Sequence, residues 1–295
     1  MASIYHGRGA AIGFALEDTY GTAKSPRTNW RPLISSSLTR TIEKVPRPVL
    51  RVGSAGAMRR RHYVQSDGVS GSFSVEGQYN SIGILLEHLL GASSTTGSGP
   101  YTHVYTIADD VPLGLTIENN RGTGTSEILE GCRLNSGTIA VSAGGTPNFS
   151  TTDAPILHSH AGSLSWDTKT YDLIDMSLTV NNALAVRQHL GSTVTKKPLR
   201  SDFQSIELSV TIEVDDELYA EYISDLEDDC SITFTSGSNS FAIELQNAYI
   251  SSASDPISDA NVVRQSLTFV GQSDGTDEGL KITVVNGNSS ATSND

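Results

Sequence analysis

Short runs of alternating apolar and polar residues fill most of this chain, and a period of two is the signature of a half-buried strand. In "IELSVTIEV", Ile206, Leu208, Val210, Ile212 and Val214 share one face, while Glu207, Ser209, Thr211 and Glu213 share the other. "GSFSVEG" sets Phe73 and Val75 against Ser72, Ser74 and Glu76, and "DMSLTVN" sets Met176, Leu178 and Val180 against Ser177 and Thr179. "GLTIEN" sets Leu115 and Ile117 against Gly114, Thr116 and Glu118, and "CSITFTS" sets Ile232 and Phe234 against Ser231, Thr233 and Thr235. "SLTRTIEKV", "SGTIAVS", "FAIELQNAYIS" and "QSLTFVG" also read as strands, divided by turn clusters such as "TTGSGP" and "SGSNS". The pattern predicts a mainly β fold with one dry face and one small, polar, anionic face. Any half-solvated antiparallel sheet alternates in this way. Less ordinary is the scarcity of Lys and Arg on the wet faces, because those residues commonly guard strand edges.

Only two segments carry helical periodicity. Ser81 to Leu90 puts Ile82, Leu85, Leu86 and Leu89 on one face and stops at Gly91. Asp215 to Ser224 puts Leu218, Tyr219 and Tyr222 on one face, with Asp215 as N-cap. Each helix follows an alternating strand, and the elements around the two strand–helix units match in order. Within the units Phe73 and Val75 correspond to Val210 and Ile212. A period this long means two copies of one domain rather than a solenoid. The expected division is a first copy over 1–150, a linker at 151–163 and a second copy over 164–295. The first copy carries an N-terminal arm and a long loop at about 45–68, and the second a flexible tail from about 286.

Composition narrows the partners. At 295 residues the chain has room for two such domains, and its charge of −13 argues against holding nucleic acid by its phosphates. It does not argue against letting nucleic acid pass. Arginine outnumbers lysine and acids are abundant, which suits either a salt-rich setting or an ordinary acidic protein. Cys132 and Cys230 lack metal-knuckle spacing and read as small buried apolar residues. The N-terminus has no signal-peptide pattern, and no apolar run approaches the ~20 residues that span a bilayer.

Motifs for chemistry are absent: no P-loop, no G-x-S-x-G and no H-E-x-x-H. "HSH" at 158–160 falls in the expected linker, and "DLEDD" at 225–229 lacks the spacing of a calcium loop. No catalytic residue, cofactor or metal ligand is therefore expected. The one basic concentration is Arg47, Arg51, Arg59, Arg60 and Arg61 in the long loop. Three readings stay open for it: docking onto an acidic surface of a neighbouring copy, a solvated loop, or nucleic-acid contact.

Three features together give the chain a family resemblance. "GFALEDTYGTA" (13–23) opens it; a long loop follows; then "VSGSFSVEGQYNSIGILLEHLLG" and "VPLGLTIEN…GCRLNSGTIAVSAGG" supply strand, helix and hairpin in order. This succession, covering 13–145, resembles the major tail tube proteins of long-tailed bacteriophages and related tailed viruses. The resemblance implies a small β-sandwich or split barrel flanked by one helix in each domain. Six such domains would form a ring whose inner sheets join into a continuous β-barrel, and rings would stack into a tube in the virion tail. Ser72, Ser74, Glu76, Thr116, Glu118, Ser177, Thr179, Glu207, Ser209, Thr211 and Glu213 would then face the lumen. The arginines of the long loop would contact the next ring. Implied partners are further copies of the chain, a tape measure protein, a tail terminator, tail tip proteins and double-stranded DNA in transit, with synthesis in the host cytoplasm and no membrane. Two domains per chain imply three chains per ring with pseudo-sixfold symmetry. The alternatives are a hexameric ring with a decorating second half and a carbohydrate-binding or adhesion β-sandwich.

Overall fold

The computed structural model describes residues 9–25, 27, 29–46, 62–109, 112–122, 126–142, 162–187, 196–214, 216–254, 263–276 and 279–292. In chain order the first strands are β1 (Ala10–Leu16), β2 (Asn29–Ser36), β3 (Thr39–Pro46), β4 (His62–Ser70) and β5 (Phe73–Val75). After α1 (Gly83–Leu90) come β6 (Gly91–Thr96), β7 (Tyr101–Ile107), β8 (Leu115–Arg121), β9 (Glu127–Cys132) and β10 (Ser136–Ser142). The later part contributes β11 (Gly162–Trp166), β12 (Lys169–Asn181), β13 (Leu184–Arg187), β14 (Lys196–Arg200) and β15 (Ser205–Glu213). Finally come α2 (Asp216–Ser224), β16 (Glu227–Ser236), β17 (Asn239–Ser254), β18 (Arg264–Val270) and β19 (Leu280–Asn286).

The chain divides into two compact units, and neither is a contiguous half. One takes Met1–Glu76, Leu113–Arg133 and Leu184–Ser201; the other takes Gly77–Pro112, Leu134–Ala183 and Asp202–Asp295. The expected cut at 151–163 therefore does not coincide with the observed units. Strand pairing overrides chain order here: β10 is hydrogen-bonded to β12, and β7 to β19.

The first unit holds a five-stranded antiparallel sheet in the order β5-β2-β1-β8-β9, with β3–β4 and β13–β14 as two-stranded ribbons. Its core is Ile12, Phe14, Leu115, Ile117 and Leu129, and the Phe14 ring lies 5.3 Å from Phe73. The β3–β4 ribbon continues the β2–β5 pairing through a Ser37 N–H bond to Ser72 O, and its register reaches Pro46↔His62. The segment expected as a loop at 45–68 is thus strand at both ends. β5 is only three residues long.

In the second unit β16, β11, β12, β15, β18 and β17 hydrogen-bond in an unbroken antiparallel cycle back to β16. From β17 the sheet runs on through β19 to β7 and β6. The cycle encloses fully buried Trp166, Leu208, Phe234, Phe241, Ile243 and Phe269, with Trp166 and Phe269 rings 5.0 Å apart. Such a core reflects the strict alternation of β15, whose Ile206, Leu208, Val210 and Ile212 are all buried. Each copy carries one helix, α1 after β5 and α2 after β15, as expected, and both pack in this unit. Gly91 ends α1 at φ 114°, as expected, but burial extends to Ile84, His88 and Leu90 beyond the expected stripe. Among the described side chains of α2 Leu218 alone is fully buried, whereas Tyr219 is exposed. The described residues 286–292 of the tail are packed down: Asn286 and Asn288 are buried, and Tyr105 Oη donates to Ala291 O at 2.8 Å.

The two halves repeat each other residue by residue. The order β5-β2-β1-β8-β9 recurs as β15-β12-β11-β16-β17. Leu33 opposes Val75 as Leu173 opposes Ile212, and in both pairs one extra residue (Ile34, Ile174) then bulges the longer strand. A second bulge is also duplicated. Ile117↔Leu129 precedes Leu115↔Cys132 as Cys230↔Leu245 precedes Asp228↔Ala248. The bulged strands hold positive φ at matched sites, Gly131 (67°) and Asn247 (49°). The sequence-level correspondence of Phe73 with Val210 and Val75 with Ile212 is the one this register gives. The copies differ by insertion. β11 and β12 meet through the tight turn Asp167–Thr168, whereas residues 17–28 separate β1 from β2, and the β6–β7 hairpin follows α1 only.

Candidate functional site: a polar sheet face and its edges

In the second unit β10, β12, β15 and β18 lie side by side, and their registers align polar side chains in rows. One row is Ala140–Ser177–Ser209–Thr268, and the next is Thr138–Thr179–Glu207. A third is Asp175–Thr211–Ser266, and Glu213 faces Arg264 beyond it. Six of the expected lumen residues, Ser177, Thr179, Glu207, Ser209, Thr211 and Glu213, therefore fall on one face. Glu207, Ser209 and Glu213 are exposed, and the other three are half-buried. Thr138 and Thr179 hydroxyls approach to 3.4 Å across the β10–β12 seam. Sequence reading quoted "SGTIAVS" without assigning Ser136 and Thr138 to this face, although the alternation carries the signal. It also missed Asp175 and Arg264.

The first unit repeats this face in miniature. Ser74 opposes Ser35, and Ser72 meets Ser37 with hydroxyls 3.0 Å apart. These four stand where Thr211, Asp175, Ser209 and Ser177 stand in the other copy. Ser72 and Ser74 are exposed and Glu76 is half-buried.

Thr116 and Glu118 do not belong with them. Both lie on β8, whose counterpart is β16, outside the four-stranded face. Thr116 is fully buried, donating to Glu17 Oε1 at 3.1 Å and accepting from Lys24 N at 3.0 Å. Glu118 accepts from Arg27 Nε at 2.6 Å. The inserted segment 17–27 covers this side of β8, which is why the alternation there does not mean exposure. The lumen assignment of Thr116 and Glu118 is corrected accordingly. Arg47, Arg51, Arg59, Arg60 and Arg61 lie outside the described residues, as do the 158–160 histidines.

The anchor of that segment is Glu17, itself buried. Its carboxylate accepts from Gly21 N and Gly131 N, each at 2.7 Å, as well as from Thr116. Part of the "GFALEDTYG" stretch thus pins the insertion to the β8–β9 bulge.

Large apolar side chains remain at the surface: Phe203 is 94% exposed, Val186 72%, Ile223 67% and Ile34 59%. Single apolar side chains of this kind are ordinary on a folded surface, and only a contiguous patch would mark an interaction site. Among the described residues no group of three or more His, Cys, Asp or Glu could hold a metal ion. Cys132 and Cys230 are free thiols whose pKa burial raises, that of Cys132 to about 12. No helix among the described residues is long and apolar enough to cross a membrane.

A family model described as phage tail tube protein matches residues 7–271. Among solved structures, Hcp1 from Flavobacterium johnsoniae is similar over 38% of this chain and 90% of its own, at 16% identity and a TM-score of 0.29. No curated protein matches the chain.

Proposed function

The chain belongs to the phage tail tube protein family, and from that premise we propose that three copies close each ring of a viral tail tube. It is a structural component of the virion tail. The observation that supports threefold rings is the duplicated register with its two matched bulges. A chain that carries the wall element twice supplies two of six quasi-equivalent positions, so three chains complete what single-copy chains would need six to build.

The polar faces of β10, β12, β15 and β18 and of β2 and β5 line the channel in this reading. Short hydroxyls and carboxylates give DNA phosphates no cationic partner to release condensed counterions against, so the duplex is not held. Glu207 and Glu213 add like-charge repulsion, weak in water at several ångströms but cumulative around a ring. Arg264 stands opposite Glu213, which offsets its charge locally. The loop arginines Arg47, Arg51, Arg59, Arg60 and Arg61 reach an acidic surface of the adjacent ring. Tape measure, terminator and tip proteins meet the tube at its bore and ends.

Negative-stain microscopy of concentrated full-length protein, with rotational averaging of single rings, tests the reading. Rings of three chains with pseudo-sixfold density are expected. Six chains per ring with external decoration would replace it, and a monomer at high concentration would favour the carbohydrate-binding alternative.

A further inference from the structure

Within one chain, a strand that follows the first copy's bulged β9 completes the second copy's sheet. β10 pairs with β12 from Ser136↔Asn181 to Ser142↔Asp175, on the edge of β12 that lies opposite β15 and beyond the end of β11. The duplication supplies the counterpart of both partners. Gly131 matches Asn247, so Ser136 to Thr138 of β10 match Ser252 to Ser254 at the end of β17. Leu33 matches Leu173, so Thr179 to Asn181 of β12 match Thr39 to Thr41. Both counterparts have an unpaired edge among the described residues. β16 pairs with β17 only as far as Tyr249, and β18 occupies the other edge of Tyr249–Ser254. β1 pairs with β2 only over Asn29–Pro32, while β5 and then β4 occupy the opposite edge through Ser36 and Thr39–Thr41.

We propose that the end of β17 of one chain adds as an antiparallel strand to the Thr39–Thr41 edge of the next chain, repeating between chains the joint that β10 and β12 make within one. The inherited register is Ser252 opposite Thr41, Ala253 opposite Arg40 and Ser254 opposite Thr39. The proposal rests on the self-assembly reading above and specifies the surface it uses. Donor and acceptor are different segments, so the contact can repeat head to tail from chain to chain and close into a ring. An unpaired strand edge is a template for another chain unless it is guarded. Here it is unguarded. Ser252, Ser254, Thr39 and Thr41 are exposed and small, and the guanidinium of Arg40 is held to Asp67 by bonds of 2.8 and 2.6 Å.

Paired cysteines test this in the full chain. Opposite residues of an antiparallel pair have Cα atoms about 4.5–5.5 Å apart, within the span of a disulfide. Thr41→Cys with Ser252→Cys, and separately Thr39→Cys with Ser254→Cys, are oxidised after assembly and run on a non-reducing gel. Each pair should convert most of the chain into covalent multimers that end at the ring's stoichiometry. The off-register pair Thr41→Cys with Ala253→Cys puts the thiols on opposite faces and should link at least about tenfold less. The parent chain, with half-buried Cys132 and buried Cys230, should stay monomeric on the gel. Tubes that form normally but do not link in either in-register pair would overturn this joint and leave the tube reading standing. Equal linking by the off-register pair would overturn the register. A parent chain that forms neither rings nor tubes would overturn the functional reading and the joint with it.

Discussion

Removing the Glu17 carboxylate isolates the device that ties the first-copy insertion to its sheet. Glu17→Ala leaves Gly131 N–H and the fully buried Thr116 hydroxyl without their acceptor, while Gly21 N–H lies on the turn that the carboxylate organises. A buried donor left unsatisfied costs about 1–3 kcal/mol, and a hydrogen bond to a charged acceptor contributes about 1.5–3 kcal/mol. With Gly21 rehydrated, the loss from the other two comes to about 3–6 kcal/mol. Glu17→Gln can keep Oε1, which accepts from both Thr116 and Gly131, and turn its amide N–H₂ toward Gly21 N–H, so well under half of that loss is expected. Hydrogen exchange read peptide by peptide is the assay, because the chain has two compact units and need not unfold in one step. Protection should fall in the peptides holding Tyr20 to Lys24 and Ile128 to Cys132. Protection of Ile206 to Ile212 in the second unit should be unchanged. A loss below about 1 kcal/mol for Glu17→Ala would refute the reasoning, as would equal effects of Ala and Gln.

At the second bulge Asn247→Gly should be neutral, whereas Asn247→Ala at φ 49° should lower stability by about 1 kcal/mol in urea unfolding. Hydrogen bonding from Arg40 holds the Asp67 carboxyl below its usual range, so the pair's contribution to the β3–β4 ribbon is present above the unfolded carboxyl's pKa. It is lost as pH falls through the folded value, and proteolytic nicking of the ribbon should rise there in the parent but not in Asp67→Asn. Glu207→Lys with Glu213→Lys should leave tubes intact and slow DNA release from particles; unchanged release would remove those side chains from the channel. Glu at Arg59, Arg60 and Arg61 should leave single rings that do not stack, and tubes of normal length would refute an inter-ring role.

Where side chains alternated between core and solvent, the sequence was a good guide. "IELSVTIEV", "DMSLTVN" and "CSITFTS" became β15, β12 and β16 because each has one dry face. The repeat was visible for the same reason, since Phe73 and Val75 keep the period of Val210 and Ile212. Other elements were hidden by their surroundings. β1 is buried on both faces, so Ile12, Gly13, Phe14 and Ala15 show no alternation. β6, "GASSTT", carries turn-like residues and owes its strand to pairing with β7. Thr116 looked wet because nothing local shows that residues 17–27 return over it. The unit boundaries were illegible because they follow long-range ladders such as β7–β19, which no segment encodes alone. Tyr219 illustrates the converse, a helix face that reads as core yet stays exposed.

The β10–β12 ladder also bears on how fast a ring can nucleate. In the proposed ring of three, this ladder forms when the chain folds, so half of the six lateral joints would exist before any two molecules meet. Each bimolecular joint otherwise forfeits translational and rotational freedom worth about 4–15 kcal/mol at the 1 M standard state. Covalent fusion of two wall segments removes that loss from three joints. In the proposed ring it would also lower the molecularity of closure from six bodies to three, so the rate of ring formation should depend far less steeply on protein concentration.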